Sequence, residues 1–134
     1  MFIKSITSAT FVSLCLLSTH AHATASISCG ATNSETGAKF ILGAGPIPSV
    51  YSATVASDTA AYSTSPIENH EPASIARSYI DDETIKIDLV DDQATNVVAK
   101  IRIIRTEDPE TGPFQIGYIQ MLGAAPEVVT CDGP

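Results

Sequence analysis

Two stretches of alternating apolar and polar residues constrain the fold of this chain more than any other feature. In residues 84–90, Ile85 and Ile87 alternate with polar side chains, and residues 96–105 continue the same pattern. A two-residue period places apolar side chains on one face of a β-strand, whereas an amphipathic helix repeats about every 3.6 residues. The polar residues 91–94 between the stretches predict a turn, so we expect the pair to form a β-hairpin.

The composition of residues 24–134 favours the same fold class. This part contains 13 Ile, 7 Val and 11 Thr but only 3 Leu. Branching at Cβ favours the pleated sheet and slightly disfavours the helix. Other short apolar segments between turn residues raise the expected number of strands to eight or nine. We therefore predict an all-β protein, either a small antiparallel β-sandwich or a β-barrel.

Two segments read as irregular connections between strands. Residues 63–74 contain Pro66 and Pro72 among small polar residues, and they predict the longest surface loop. Residues 106–113 predict a shorter, acidic connection. Long surface loops often carry function, so the first segment is of particular interest.

Residues 1–23 have the features of a secretory signal peptide. Lys4 provides a positive charge, residues 9–17 are mostly apolar, and Ala21 and Ala23 are the small residues that a signal peptidase reads. The apolar run is far shorter than the roughly 20 residues of a membrane-spanning helix, which argues against an anchor. We expect cleavage after Ala23 and export to the periplasm or the medium.

Cleavage would leave a single domain, residues 24–134, with six basic and fifteen acidic residues and a formal net charge of −9. Lipidation at Cys15 is the alternative, but Leu14 precedes it where a small residue is expected. An acidic domain attracts basic partners, whereas nucleic-acid-binding domains are usually basic. We therefore expect no nucleic-acid partner, and no later segment is apolar enough to span a membrane.

The two cysteines of this domain, Cys29 and Cys131, lie near its opposite ends. In an exported protein such a pair predicts a disulfide. Two free thiols or a redox pair are the alternatives, but the sequence lacks the C-x-x-C spacing of a redox motif. A bridge that closes a loop of about a hundred residues would stabilise the fold by ~4 kcal/mol in the chain-entropy model. It would tie the first strand to the last.

No catalytic or cofactor motif is evident. The sequence lacks G-x-S-x-G, and His70 shares a polar loop with Ser63 and Ser65 without other signs of a hydrolase site. One histidine and two bridged cysteines do not make a zinc site. The acidic clusters at 81–83 and 91–92 flank one strand, roughly 25–30 Å apart, so they do not share a calcium ion. We expect no catalytic residue, metal or cofactor.

Four of the six basic residues of the domain lie in or beside the predicted hairpin. Lys86, Lys100 and Arg102 share its polar face, and Arg105 follows nearby. Asp88 on the same face is expected to pair with a lysine such as Lys100. This basic stripe either orients a charged partner or is a solvated face that discourages edge pairing.

These features favour a non-catalytic exported domain that binds a protein partner, with a basic protein expected from the net charge. An inhibitor of a basic enzyme fits this class. A β-barrel that carries a small apolar ligand is the first alternative, and it requires a large internal cavity. A small secreted hydrolase is the second, and it requires His70 to converge with a serine or a carboxylate in a cleft.

Overall fold

The computed structural model describes residues 24–134, which form a closed β-barrel of nine strands and contain no helix. The prediction of an all-β protein is confirmed, and of the two predicted architectures the barrel is the correct one. The predicted signal peptide, residues 1–23, lies outside the described residues. The strands are β1 (Ala25–Ala31), β2 (Gly37–Gly43), β3 (Ser49–Ala56), β4 (Ala61–Ser63), β5 (Glu71–Ile80), β6 (Thr84–Asp91), β7 (Val97–Asp108), β8 (Gly112–Met121) and β9 (Glu127–Asp132).

Each strand pairs with its neighbours in sequence, and β1 pairs with β9 to close the barrel. Within residues 24–134 every pair is antiparallel except β4 with β5, which is parallel. A closed barrel with an odd number of strands cannot be antiparallel throughout. If every neighbour ran in the opposite direction, the last strand would run parallel to the first, with which it pairs. One parallel step is therefore a geometric requirement of this barrel, and the short β4 provides it.

Apolar side chains at alternate positions fill the interior of the barrel. The predicted hairpin, β6 and β7, supplies Ile85, Ile87, Ile101 and Ile103, and none of the four has exposed surface. Burial of one such side chain contributes about 1.5–3 kcal/mol. The other fully buried large side chains come from every strand except β4 and β5, namely Ile27, Phe40, Val55, Leu89, Val98, Ile119 and Val129.

Both predicted connections are shorter than the sequence indicates. Strand β5 begins at Glu71, because Glu71 and Pro72 pair with β4, so the first loop is confined to residues 64–70. Proline lacks an N–H but still accepts hydrogen bonds through its carbonyl, which suits the first residues of a strand. The second connection is also mostly strand, since the β7–β8 ladder extends to the pair formed by Asp108 and Gly112.

The barrel wall has a seam below β4. Strand β4 is three residues long, and beyond it no pairing joins β3 to β5 among the described strands. Half-buried Val50 and Ile75 pack against the core on either side of the seam. Ser78 lies opposite the inward-facing Ile87 yet remains exposed. Both bordering ladders are irregular, at Ile41/Leu42 opposite β3 and near Ile75 in β5, and such bulges discourage edge pairing.

The predicted Cys29–Cys131 disulfide is present and lies inside the closing β1–β9 ladder. The two cysteines are directly opposed, with 4.0 Å between their Cα atoms and a sequence separation of 102. Both are buried in the barrel core. The covalent bond therefore reinforces the one strand pair that joins the two ends of the described chain.

We predict that replacing both cysteines with serine lowers the free energy of unfolding by about 4 kcal/mol. Without the bridge, the unfolded chain regains the conformational entropy that closure of a loop of about a hundred residues removes. Urea denaturation of the wild type and of the Cys29→Ser/Cys131→Ser variant measures this difference. An unchanged urea midpoint would show that hydrogen bonding and packing alone close the barrel.

Candidate protein-binding surface

The outward-facing side chains of β8 are unusually apolar for a solvated strand. Ile119 and Met121 are buried and so fix which face of β8 points inward. Phe114, Ile116 and Tyr118, at the alternate positions, point outward and are 41%, 36% and 37% exposed. Three of the five outward-facing positions of β8 are therefore apolar, although the outer surface of a solvated barrel is expected to be polar.

The neighbouring strands extend this apolar surface. Ile104 on β7 lies directly opposite Ile116, and Val128 on β9 lies directly opposite Tyr118. Directly opposed residues have Cβ atoms about 4.5–5.5 Å apart, so these side chains are in reach of one another. Ile104 is 61% and Val128 is 66% exposed. We call Ile104, Phe114, Ile116, Tyr118 and Val128 the apolar face, and contiguous patches of this kind mark interaction sites.

Gly117 holds β7 and β8 close together at the centre of the apolar face. A Cβ atom at this position would lie 1.8 Å from the carbonyl oxygen of Arg102 and 2.8 Å from Cα of Ile103. Both are backbone atoms, so neither can rotate away. The absence of a side chain at position 117 is therefore a condition for this strand pairing.

We predict that Gly117→Ala destabilises the protein by about 2–4 kcal/mol, because the β7–β8 ladder must separate to admit the methyl group. Gly30→Ala is the matched control, since a Cβ atom there would meet nothing within 4 Å. Thermal unfolding of both variants makes the comparison. Equal melting temperatures for the two variants would contradict the argument.

The predicted basic stripe borders the apolar face towards the β6–β7 turn. Lys86, Lys100 and Arg102 occupy outward-facing positions, as expected from the sequence. The ammonium group of Lys86 lies 5.7 Å from the ring centroid of Tyr79, within the range of a cation–π interaction. The expected partner of Asp88 is wrong: Asp88 is directly opposite Lys100, but its carboxylate accepts a hydrogen bond from Arg102 at 2.6 Å.

The shape of the guanidinium group explains why Asp88 pairs with Arg102 and not with Lys100. The group donates to the carbonyl oxygens of Ile87, at 3.1 Å, and of Ile101, at 2.8 Å, while it also reaches Asp88. Lysine carries no planar fork and makes no comparable set of contacts. The Arg102 charge is thus balanced, whereas the Lys86 and Lys100 ammonium groups form no salt bridge within the described residues.

The structure separates Arg105 from the other three basic residues. It lies one residue beyond outward-facing Ile104, so its side chain starts on the inward-facing side of β7, near the end of the barrel. Its guanidinium group donates to the carbonyl oxygen of Pro134 at 2.6 Å and lies 3.5 Å from that of Asp81. Arg105 therefore contacts the segment that follows β9 and the β5–β6 turn, and it is not part of the stripe.

A groove of about 850 Å³ opens at the opposite, lower end of the apolar face. Ile104 and Phe114 provide its apolar surface, and Asp82, Glu83 and Glu107 line it with carboxylates. Its other lining residues come from the strand ends, namely Arg105, Thr106, Pro113, Gln115, Gly133 and Pro134. Three carboxylates outnumber the one guanidinium group in this lining, and together with the apolar surface they suit a basic side chain that has an aliphatic stem.

Two aspartates fix the turns that frame this groove. Asp81 accepts hydrogen bonds from the backbone N–H groups of Glu83 and Thr84, at 2.9 and 2.6 Å. The Tyr79 hydroxyl, 2.7 Å away, is the main cause that lowers the pKa of Asp81. Asp108 accepts from the backbone N–H groups of Thr111 and Glu110, which lower its pKa in that order. Both carboxyl groups therefore stay ionised in mildly acidic solution.

Gln115 lies just inside the groove, buried at 7% exposure. Its amide nitrogen donates to the carbonyl oxygen of Gly133 at 3.0 Å, and its amide oxygen has no partner among the described residues. This contact and that of Arg105 lay the end of the described chain across the lower end of the barrel. The groove is thus bounded by two turns and by this tail.

The residues that a hydrolase site would require, Ser63, Ser65 and His70, lie around one cavity. This cavity has a volume of about 660 Å³ and lies at the 64–70 loop. The imidazole Nδ1 lies 3.0 Å from the carbonyl oxygen of Glu68, and the hydroxyl of buried Ser63 lies 3.2 Å from that of Thr54. Within residues 24–134 no hydrogen bond joins His70 to either serine, and no group of three metal-ligating side chains occurs.

Comparison of the chain with protein-family models, with curated proteins and with solved structures found no match. Among the described residues no helix is long and apolar enough to cross a membrane. The surface chemistry of the barrel is therefore the basis for an inference about function.

The apolar face is the feature that the sequence analysis missed. Its signal was present, because Phe114, Ile116 and Tyr118 recur at every second position. Read alone, that pattern would place these three side chains inside the barrel and Gln115 outside. Ile119 is buried and lies on the other face of β8, so this other face points into the barrel. The strand pairing therefore shows that β8 carries apolar side chains on both faces.

Proposed function

We propose that this protein is an exported, non-catalytic domain that binds a basic protein through the apolar face and its adjoining groove. The observation that supports this proposal most is the contiguity of the five exposed apolar side chains, which the strand register fixes. Solvation alone gives no reason for five apolar residues to adjoin on a strand surface.

The surface has the general composition of a protein interface. Its centre is apolar and includes two aromatic residues, Phe114 and Tyr118, while charged side chains lie at its two ends. Aromatic residues are enriched at the buried centre of interfaces, and charges are depleted there and concentrated at the rim. Rim charges chiefly speed encounter and select partners.

The lining of the groove favours a partner with basic side chains. A lysine or arginine of the partner would place its aliphatic stem against Ile104 and Phe114, and its charge beside Asp82 and Glu107. The net charge of −9 over residues 24–134 acts at longer range in the same direction. Inhibition of a basic enzyme is one form that such binding would take.

Export is supported by the disulfide as well as by the sequence of residues 1–23. A structural disulfide persists in an oxidising compartment and is rare in the cytosol. The bond is also buried in the barrel core, which protects it from reductants.

The exported protein is expected to begin at Thr24. Intact-mass measurement of protein recovered from the periplasm or the medium tests this expectation. A mass that includes residues 1–23, or an added lipid mass, would contradict it.

The binding proposal predicts a salt-dependent partner. Immobilised residues 24–134 should capture a basic protein from the periplasm or the medium. The association rate should fall as the ionic strength rises from ~0.05 to ~0.3 M, where the screening length falls from roughly 14 to 6 Å. Asp82→Lys/Glu107→Lys should slow association, because it reverses the charge of the groove walls.

Asp58→Lys/Glu68→Lys is the matched control, since it changes the net charge equally at exposed sites that do not line the groove. This control should retain most of the association rate. His70→Ala should leave binding and stability unchanged. The proposal fails if both charge-reversal variants bind alike, or if the purified domain has a turnover activity that His70→Ala abolishes.

A further inference from the structure

The charges around the apolar face are segregated along the strand direction. Ile104 and Ile116, directly opposed on β7 and β8, form its middle row. Lys86 and Lys100 lie above that row, towards the β6–β7 turn. Asp82 lies below it in the β5–β6 turn, and Glu83, Glu107 and Asp108 also lie below it. The face is thus basic at one end, acidic at the other and apolar between.

We infer that this face binds a second copy of the same chain, in a dimer whose two-fold axis lies in the face and crosses the strands along the Ile104–Ile116 row. Such an axis turns the second copy end for end, so the basic end of each copy meets the acidic end of the other. An isologous interface requires this self-complementarity, because one patch provides both sides of the contact.

The positions of the charged residues along the chain give the expected pairs. Lys86 lies two residues above Thr84 on β6, and Asp82 lies in the β5–β6 turn that precedes Thr84, so we expect Lys86 to face Asp82 of the second copy. Lys100 and Asp108 lie four residues on either side of Ile104 and meet in the same way.

The apolar side chains of β7 and β8 also match, whereas Val128 on β9 lies opposite Asp132 of the second copy. Tyr118 and Phe114 lie two residues on either side of Ile116 and therefore meet across the axis. Ile104 and Ile116 lie on the axis and each meets its own copy. Aromatic and branched aliphatic side chains thus fill the centre of the contact, and both charged pairs lie outside it.

Arg102 adds little charge to this contact, because Asp88 on the same copy already balances it. The charged pairs are exposed, so they select the orientation more than they supply affinity. The area is modest: four strands about 4.8 Å apart and seven residues at about 3.4 Å each give roughly 450 Å² before the rim side chains are added. Stable interfaces bury about 800 Å² on each partner, so we expect a weak, concentration-dependent dimer.

A charge-swap experiment with purified residues 24–134 tests the dimer. Lys86→Glu/Lys100→Glu makes both ends of the face acidic, and Asp82→Lys/Asp108→Lys makes both ends basic. Each variant alone should have a dimer dissociation constant raised about tenfold or more, because like charges meet at both ends. An equimolar mixture should form a heterodimer at least as tight as the wild-type dimer. Sedimentation velocity over a range of concentrations measures all four samples.

The control variants separate this interface from nonspecific association. Ile104→Glu should abolish the dimer, whereas Tyr51→Glu should not, since Tyr51 is 77% exposed on β3, outside the face. Circular dichroism confirms that each variant is folded. A wild-type chain that stays monomeric at ~1 mM, or a mixture no more associated than its components, would overturn the inference. These measurements contain no other protein, so they stand or fall independently of the proposed binding of a basic partner.

Discussion

The pairing of β1 with β9 is the constraint on which the rest of the structure depends. Without it, β1 to β9 would form an open sheet with two exposed edges, and the side chains that now face the barrel interior would be exposed to water. The Cys29–Cys131 bond reinforces this pair at directly opposed positions. It joins the ends of the described strands before any other contact brings them together, so closure loses less entropy in the oxidised chain. A small core can then suffice for stability.

Much of this fold follows from local sequence pattern. The two-residue period fixes β6 and β7 and their buried faces, and the positions of Cys29 and Cys131 fix how the ring closes. What escaped prediction depends on pairing between strands. The parallel β4–β5 step was hidden because Pro72 reads as a loop residue, although a strand can begin there. It follows from the odd number of described strands, which no local pattern reveals.

The candidate site was predictable only in part, for the same reason. Lys86, Lys100 and Arg102 share a face as their spacing predicts, but their contacts depend on geometry that spacing lacks. Arg102 reaches diagonally to Asp88 because its fork also binds two backbone carbonyls. The apolar face was missed because β8 is apolar on both sides, and a period of two does not state which side is buried.

The seam between β3 and β5 determines how this barrel opens. Backbone amides that face the seam have no ladder partner across it, so their hydrogen exchange with solvent is limited by little more than local packing. The covalent bond holds the opposite side of the ring shut. We therefore expect opening to start at the seam, while the disulfide keeps β1 and β9 together. One side of the barrel is fixed by the disulfide, and the side that contains the seam is held by packing alone. We therefore expect proteases to cut most readily near the point where β4 ends.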